Sequence, residues 1–254
     1  MLSFKTLIIG LTCGMILTGC SSASSEGNSA EEVIIYSNAD EEAVEVIQEV
    51  LDQAGYEGQY IFQSFGTGEL GGRLLAEGKN TEADLVTMSS FYLESAQAKH
   101  SMFKDVSFEV NPQVAVPSYY APILSFTGAI ILNTKEMAAQ NLPRPTSAKD
   151  LAKPIYQNKI AMVDPNGSST GWLFVQDITA AYGMDAEGQT LMNHIRENAG
   201  PNLELSGSGP LKKVMAGEVP IGFGMRHQAV VNKAEGLPID YIDPSEGNYT
   251  LSES

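Results

Sequence analysis

Short β-branched runs alternate with amphipathic segments from residue 33 onward, and this rhythm limits the fold more than any other feature. Val33 to Ser37 (VIIYS) reads as a buried strand. Asn38 or Asp40 can cap the helix that follows, in which Val44, Ile47, Val50 and Leu51 share one face and which Gly55 ends. Gln59 to Ser64 is a second strand, Gly66-Thr67-Gly68 turns into a helix carrying Leu70, Leu74 and Leu75, and Ala83 to Met88 is a third strand. Strands joined by helices predict a parallel, doubly wound sheet, because each crossover lays a helix on a sheet face.

The rhythm breaks over residues 111–126, where Pro112, Pro117 and Pro122 surround Tyr119-Tyr120. A second series follows. Thr127 to Asn133, Lys159 to Asp164, Asn202 to Leu205 and Val219 to Met225 read as strands, with helices over Ser168 to Tyr182, Ala186 to Asn198 and Gly209 to Ala216 between them. Ile239 to Ile242 is a late strand. The expected organisation is one lobe over 32–122, a second over 123–237, and a return segment toward the first over 238–254. The fold class is α/β, with two lobes, each a doubly wound sheet with flanking helices, and a ligand cleft at the hinge.

Residues 1–19 read as a signal segment rather than as part of the fold. Lys5 precedes an apolar run, Leu7 to Leu17, that is too short for a stable transmembrane helix, which needs about 20 residues. Leu17-Thr18-Gly19-Cys20 resembles a bacterial lipobox, which implies cleavage before Cys20 and a lipid anchor on it. Residues 20–31 then read as a flexible tether, opening with SSASSEGNSA after the cysteine. Cys13 lies in the removed segment, so the mature chain keeps one cysteine and can form no internal disulfide or cysteine-based metal site. The net charge of −16 argues against a nucleic-acid partner.

In open α/β sheets, ligands bind outside the carboxyl ends of the strands, against helix N-termini. Those ends hold Ser37-Asn38, Ser64 to Gly68, Ser89-Ser90, Gly167 to Thr170 and Met225 to Gln228. The candidate ligand-binding residues are Ser37, Asn38, Thr67, Ser89, Ser168, Ser169, Thr170 and Arg226. The helix expected to open at Ser168 offers first-turn amides without intrahelical partners, three hydroxyls and a dipole, all suited to an anionic group. The plainer readings are that Ser168 only caps its helix and that Arg226 is a solvated helix residue.

The segments VIIYSNADEEAV (33–44), GTGELGGRLLAEGKNTEADLVTMSS (66–90), TGAIILNTKEM (127–137), RPTSAKDLAKPIYQNKIAMVDPNGSSTGWLF (144–174) and GEVPIGFGMRHQAVVNKAEGLPIDYIDPSEG (217–247) carry a resemblance. In their order and spacing, the chain resembles bacterial extracellular solute-binding proteins of the ferric-iron, thiamine and 2-aminoethylphosphonate group. The resemblance implies a type II periplasmic-binding-protein-like fold that closes on a small molecule and delivers it to the permease of an ABC transporter. It further implies an extracytoplasmic monomer, held to the membrane through its N-terminal lipid and needing no cofactor. Family members continue past a segment like Ile239 to Gly247 with helices that complete the first lobe. This chain stops at Ser254, so the resemblance implies a fragment or an incomplete first lobe.

A ferric-binding member is expected to supply a tyrosine pair after the GFGM-like strand, where phenolate oxygens suit the hard cation. Here Arg226-His227 stand there, and Tyr119-Tyr120 lie on the crossover. The resemblance leans toward 2-aminoethylphosphonate, with ferric iron as the alternative cargo. An amine on the ligand calls for a carboxylate or an aromatic wall, for which Asp243, Glu246, Tyr92 and Trp172 are candidates. His100, His194 and His227 match no H-E-x-x-H spacing, so a surface hydrolase is only a remote alternative.

Overall fold

The computed structural model describes residues 32–112 and 115–254. The expected signal segment, tether and Cys20 anchor lie outside the described residues.

The first lobe is built on three strands. β1 (Val33–Ser37) is followed by helix α1 (Glu41–Gln53), β2 (Tyr60–Ser64), α2 (Thr67–Glu77), β3 (Leu85–Thr87) and α3 (Ser90–His100). The strand order is β2-β1-β3, and both pairings are parallel, as alternating strands and helices require. Val44 is the buried point of α1, and Gly55 leaves that helix at φ +92°, a conformation favourable only to glycine. The core of the lobe gathers Tyr36, Leu70, Leu74, Met88, Leu93 and Tyr120. Tyr120 donates to Glu94 at 2.8 Å, and Tyr119 stacks on Phe103. The tyrosine pair therefore serves first-lobe packing.

The second lobe has a larger, mixed sheet. Its elements are β4 (Leu124–Asn133), α4 (Thr134–Ala139), β5 (Ile160–Val163), α5 (Ser169–Tyr182), α6 (Ala186–Ala199), β6 (Leu203–Glu204), α7 (Gly209–Ala216), β7 (Ile221–Met225), α8 (Arg226–Ala234), β8 (Ile239–Ile242) and β9 (Thr250–Glu253). The order is β6-β5-β7-β4-β8, with β9 also on β4. Strands β5, β6 and β7 run parallel, whereas β4 is antiparallel to its neighbours. Period-2 alternation assigns the two faces. Ile130 and Leu132 pack with Ile160, Phe174, Ile178 and Phe223, while Ile131 packs on the other side with Leu211, Val214 and Ala229.

β4 begins at Leu124, inside the stretch read as a crossover, and forms the hinge. Residues 124–127 pair with β9, and residues 128–133 pair with β7 and β8. Beyond β9, Ser254 exchanges backbone hydrogen bonds with Met88 of the first lobe, both at 3.0 Å. Antiparallel pairing places β8 in the larger sheet, whereas the return segment is expected from residue 238. The crossing toward the first lobe starts only after Ile242.

Candidate ligand cleft

The carboxyl ends of the strands from both lobes open onto one cavity of about 550 Å³. The first lobe contributes the turn Asn38 to Asp40 and the start of α1. The second contributes Ser168 to Thr170, Ser208, and the starts of α7 and α8, and the hinge contributes Leu124, Phe126 and Glu253. Four helices, α1, α5, α7 and α8, thus begin at this space. Each helix N-terminus carries a partial positive charge. The first-turn amides of Glu41 in α1 and Leu211 in α7 donate to no turn or loop carbonyl.

The lobes touch beside the cavity. Thr67 N–H donates to the Gly167 carbonyl at 3.2 Å, and the Thr67 hydroxyl oxygen accepts from Ser169 N–H at 3.2 Å and from Asn38 Nδ2 at 2.8 Å. Ser206 donates to Asp40 at 3.0 Å, again across the lobes. Gly68 is required at this contact, since a Cβ there would collide with the Asn166 carbonyl. Gly68→Val should prop the lobes apart while leaving each core intact. Small-angle scattering should then show a larger radius of gyration with an unchanged circular dichroism spectrum. An unchanged radius would mean that the lobes do not meet here in solution.

The candidate residues divide by position. Asn38, Ser168, Ser169 and Thr170 line the cavity. Ser37 is fully buried behind it, its hydroxyl oxygen accepting from Ala39 N–H at 3.1 Å and from Thr87 at 2.7 Å. Thr67 is occupied in the contact between lobes. Ser89 is fully buried at the hinge, bridging to Glu253 through its backbone. Arg226 is turned away from the cleft. It pairs with Asp243 at 2.7 and 3.1 Å, and its guanidinium lies 4.7 Å over the Tyr241 ring.

The start of α5 also differs from expectation, because its amides already have partners. Ser168 N–H donates to the Asp164 carbonyl, Ser169 N–H to Thr67, and Thr170 N–H to the Ser168 hydroxyl. First-turn amides free of turn or loop acceptors are instead found at α1 and α7.

The carboxylates of the cleft are Asp40, Glu42 and Glu253 rather than Asp243 and Glu246. Glu246 instead accepts from Ala148 N–H at 2.7 Å and from the Tyr182 hydroxyl at 3.1 Å. Burial, with help from Asp40, pushes Glu253 up to about 7, against the lowering effect of the Ser169 hydroxyl that donates to it at 2.9 Å. Glu42 is held below its ordinary value by its own backbone N–H and by Lys212, which it meets at 3.2 Å. Burial also lowers the His227 imidazole. Asp40 and Ser208, not among the candidate ligand residues, line the cavity as polar residues just ahead of helices. No local signal marked Glu253.

Gly167 to Gly171 has the spacing G-x-S-x-G. A nucleophile elbow needs its serine on a strained turn directly after a strand. Here residues 164–168 separate β5 from Ser169, which is an ordinary first-turn helix residue without positive φ. Its hydroxyl donates to a carboxylate rather than to an imidazole.

The family model for bacterial extracellular solute-binding proteins matches residues 83–251. The chain belongs to this family. A structure of the periplasmic binding protein AfuA from Actinobacillus pleuropneumoniae, with exogenous fructose-6-phosphate bound, superposes with a TM-score of 0.77 at 20% identity, covering 89% of this chain and 73% of that one. The ferric binding protein from Campylobacter jejuni gives 0.68 at 18%, covering 87% and 74%. A periplasmic thiamin binding protein gives 0.71 at 18%, covering 94% and 74%. An uncharacterized protein of Haemophilus influenzae is 20% identical over 260 residues, 97% of this chain and 73% of its own length. At these identities the likeness is one of fold, and it makes this family member a two-lobed α/β protein of the type II periplasmic-binding class. The family, and the three structural relatives above, are described as binding proteins. Among the described residues, no helix is long and apolar enough to cross a membrane.

Proposed function

We propose that this family member is the substrate-binding component of an ABC importer, that Cys20 anchors it by lipid outside the cytoplasm, and that its cavity takes a small zwitterionic solute such as 2-aminoethylphosphonate. The observation that carries this reading is the pairing of opposite electrostatic features around one cavity. Helix starts at the cavity with uncommitted first-turn amides, at α1 and α7, suit an anionic head group. Asp40 and Glu253 suit an amine. A cavity of about 550 Å³ matches the size of small-molecule sites in general. Among the described residues no tyrosine lines it, which argues against ferric iron as cargo.

Titration calorimetry on the mature chain with 2-aminoethylphosphonate, ethylphosphonate and ethanolamine tests the reading. Each charged hydrogen bond contributes roughly 1.5–3 kcal/mol. The zwitterion should therefore bind at least about tenfold tighter than either half-molecule. Equal binding of all three, or tight ferric citrate binding that 2-aminoethylphosphonate does not displace, would reject it.

A further inference from the structure

The return strand does more than tie the lobes together. Glu253 is fixed from both sides, since its carbonyl accepts from Ile123 N–H at 2.9 Å and its backbone bridges to Ser89. Its side chain lines the cavity. One carboxylate oxygen accepts from Ser169, and the other accepts from no described group. Leu124, Phe126 and Met225 form apolar wall around it.

The charges facing this space leave Glu253 without a counter-ion. From the turn before α1 comes Asp40, and from the first turn of α1 comes Glu42, both acidic. From α7 comes Lys212, the one Lys or Arg among the lining residues, and it is paired with Glu42. From α8 comes His227, which burial keeps neutral over more of the pH range. The lining residues of α5 and β4 bring no charge. A mostly buried carboxylate without a cation is a destabilising arrangement, and burial duly raises its protonation range.

We infer that Glu253 is the residue that selects the solute by charge, through direct contact with a protonated amine on the ligand. The inference rests on the proposed function and names the group that makes the choice. An ammonium in the cavity supplies the missing counter-ion, and the apolar wall strengthens the pair by lowering the local dielectric. A solute without a cation leaves Glu253 unpaired and is disfavoured. The same arrangement makes capture depend on pH. The carboxylate binds the amine only when ionised, so affinity rises as pH passes upward through about 7 and then levels off.

Glu253→Gln tests this, because the amide oxygen can still accept from Ser169 while the charge is gone. Wild type and variant are titrated with 2-aminoethylphosphonate and ethylphosphonate at pH 5.5 and 7.5. The variant should bind the aminophosphonate about 10- to 100-fold more weakly at pH 7.5. It should bind ethylphosphonate as wild type does, and its affinity for the aminophosphonate should change less between the two pH values than that of wild type. Unchanged aminophosphonate binding, or equal loss of both ligands, would overturn the inference. If wild type binds no 2-aminoethylphosphonate, the solute proposed above is wrong. Thermal stabilisation by ethanolamine, putrescine, choline and glycine betaine then decides the role of Glu253 by itself. A shift present in wild type and absent in the Gln variant supports that role, and no shift with any amine, or equal shifts in both proteins, rejects it.

Discussion

Phe223→Ala is expected to destabilise the protein by about 3–5 kcal/mol, the usual range for truncating a buried aromatic side chain. Phe223 is 1% exposed on β7 and meets Phe174 of α5 edge-on, with ring centroids 4.7 Å apart. Its ring also fills the space over Gly128, where a Cβ would collide with it. Truncation would leave a void between the central strands β4 and β7 and the helix α5 above them. That void cannot collapse, because the strands are held in register by antiparallel pairing from Gly128↔Met225 to Leu132↔Ile221. Urea unfolding should show a lower midpoint with an unchanged slope. A loss under about 1 kcal/mol would mean that the sheet repacks around the gap.

Asp177→Asn is expected to change how stability responds to pH. Asp177 is 5% exposed on α5; one carboxyl oxygen accepts from Tyr249 N–H, and the other is buried without a partner. Burial pushes this carboxyl up to about 7, the Tyr249 N–H lowers it in part, and the nearby charge of Glu246 adds to the rise. The folded state therefore keeps a proton that the unfolded chain releases near pH 4. The stability that this group contributes is greatest below that point, declines as pH rises from about 4 to about 7, and is level above. The Asn variant has no such group. Its stability relative to wild type should increase by about 1.4 kcal/mol per pH unit between pH 5 and 7. The slope due to Glu253 is present in both proteins and cancels in the difference. Urea titrations at pH 5, 6, 7 and 8 measure this, and a constant difference across the series would show that Asp177 is ionised in the folded protein.

Asp177 also shows where a sequence reading stops. The periodicity of Ser168 to Tyr182 predicted an amphipathic helix, and α5 spans Ser169–Tyr182. Nothing in that pattern indicated that Asp177 faces inward to hold the segment between β8 and β9, because its partner is 72 residues away. Arg226 is the converse case. It stands at a strand end where a ligand residue was expected, but Asp243, 17 residues later, draws it outward.

By itself the sequence determined the alternation of strands and helices, the helix starts at Glu41, Ser169 and Gly209, and the apolar faces that form the two cores. These depend on periodicity, capping and turn residues within a few positions of each other, so local chemistry was enough. Only the tertiary structure decided which of these starts meet. Thr67 takes up the Ser169 amide across 102 residues, and the Glu253 side chain reaches Ser169 across 84. Such pairings follow from the order of strands in the sheets and from the path of β9 across the hinge. Contacts over that separation leave no trace in the spacing of neighbouring residues, so only the folded chain places Glu253 in the cleft.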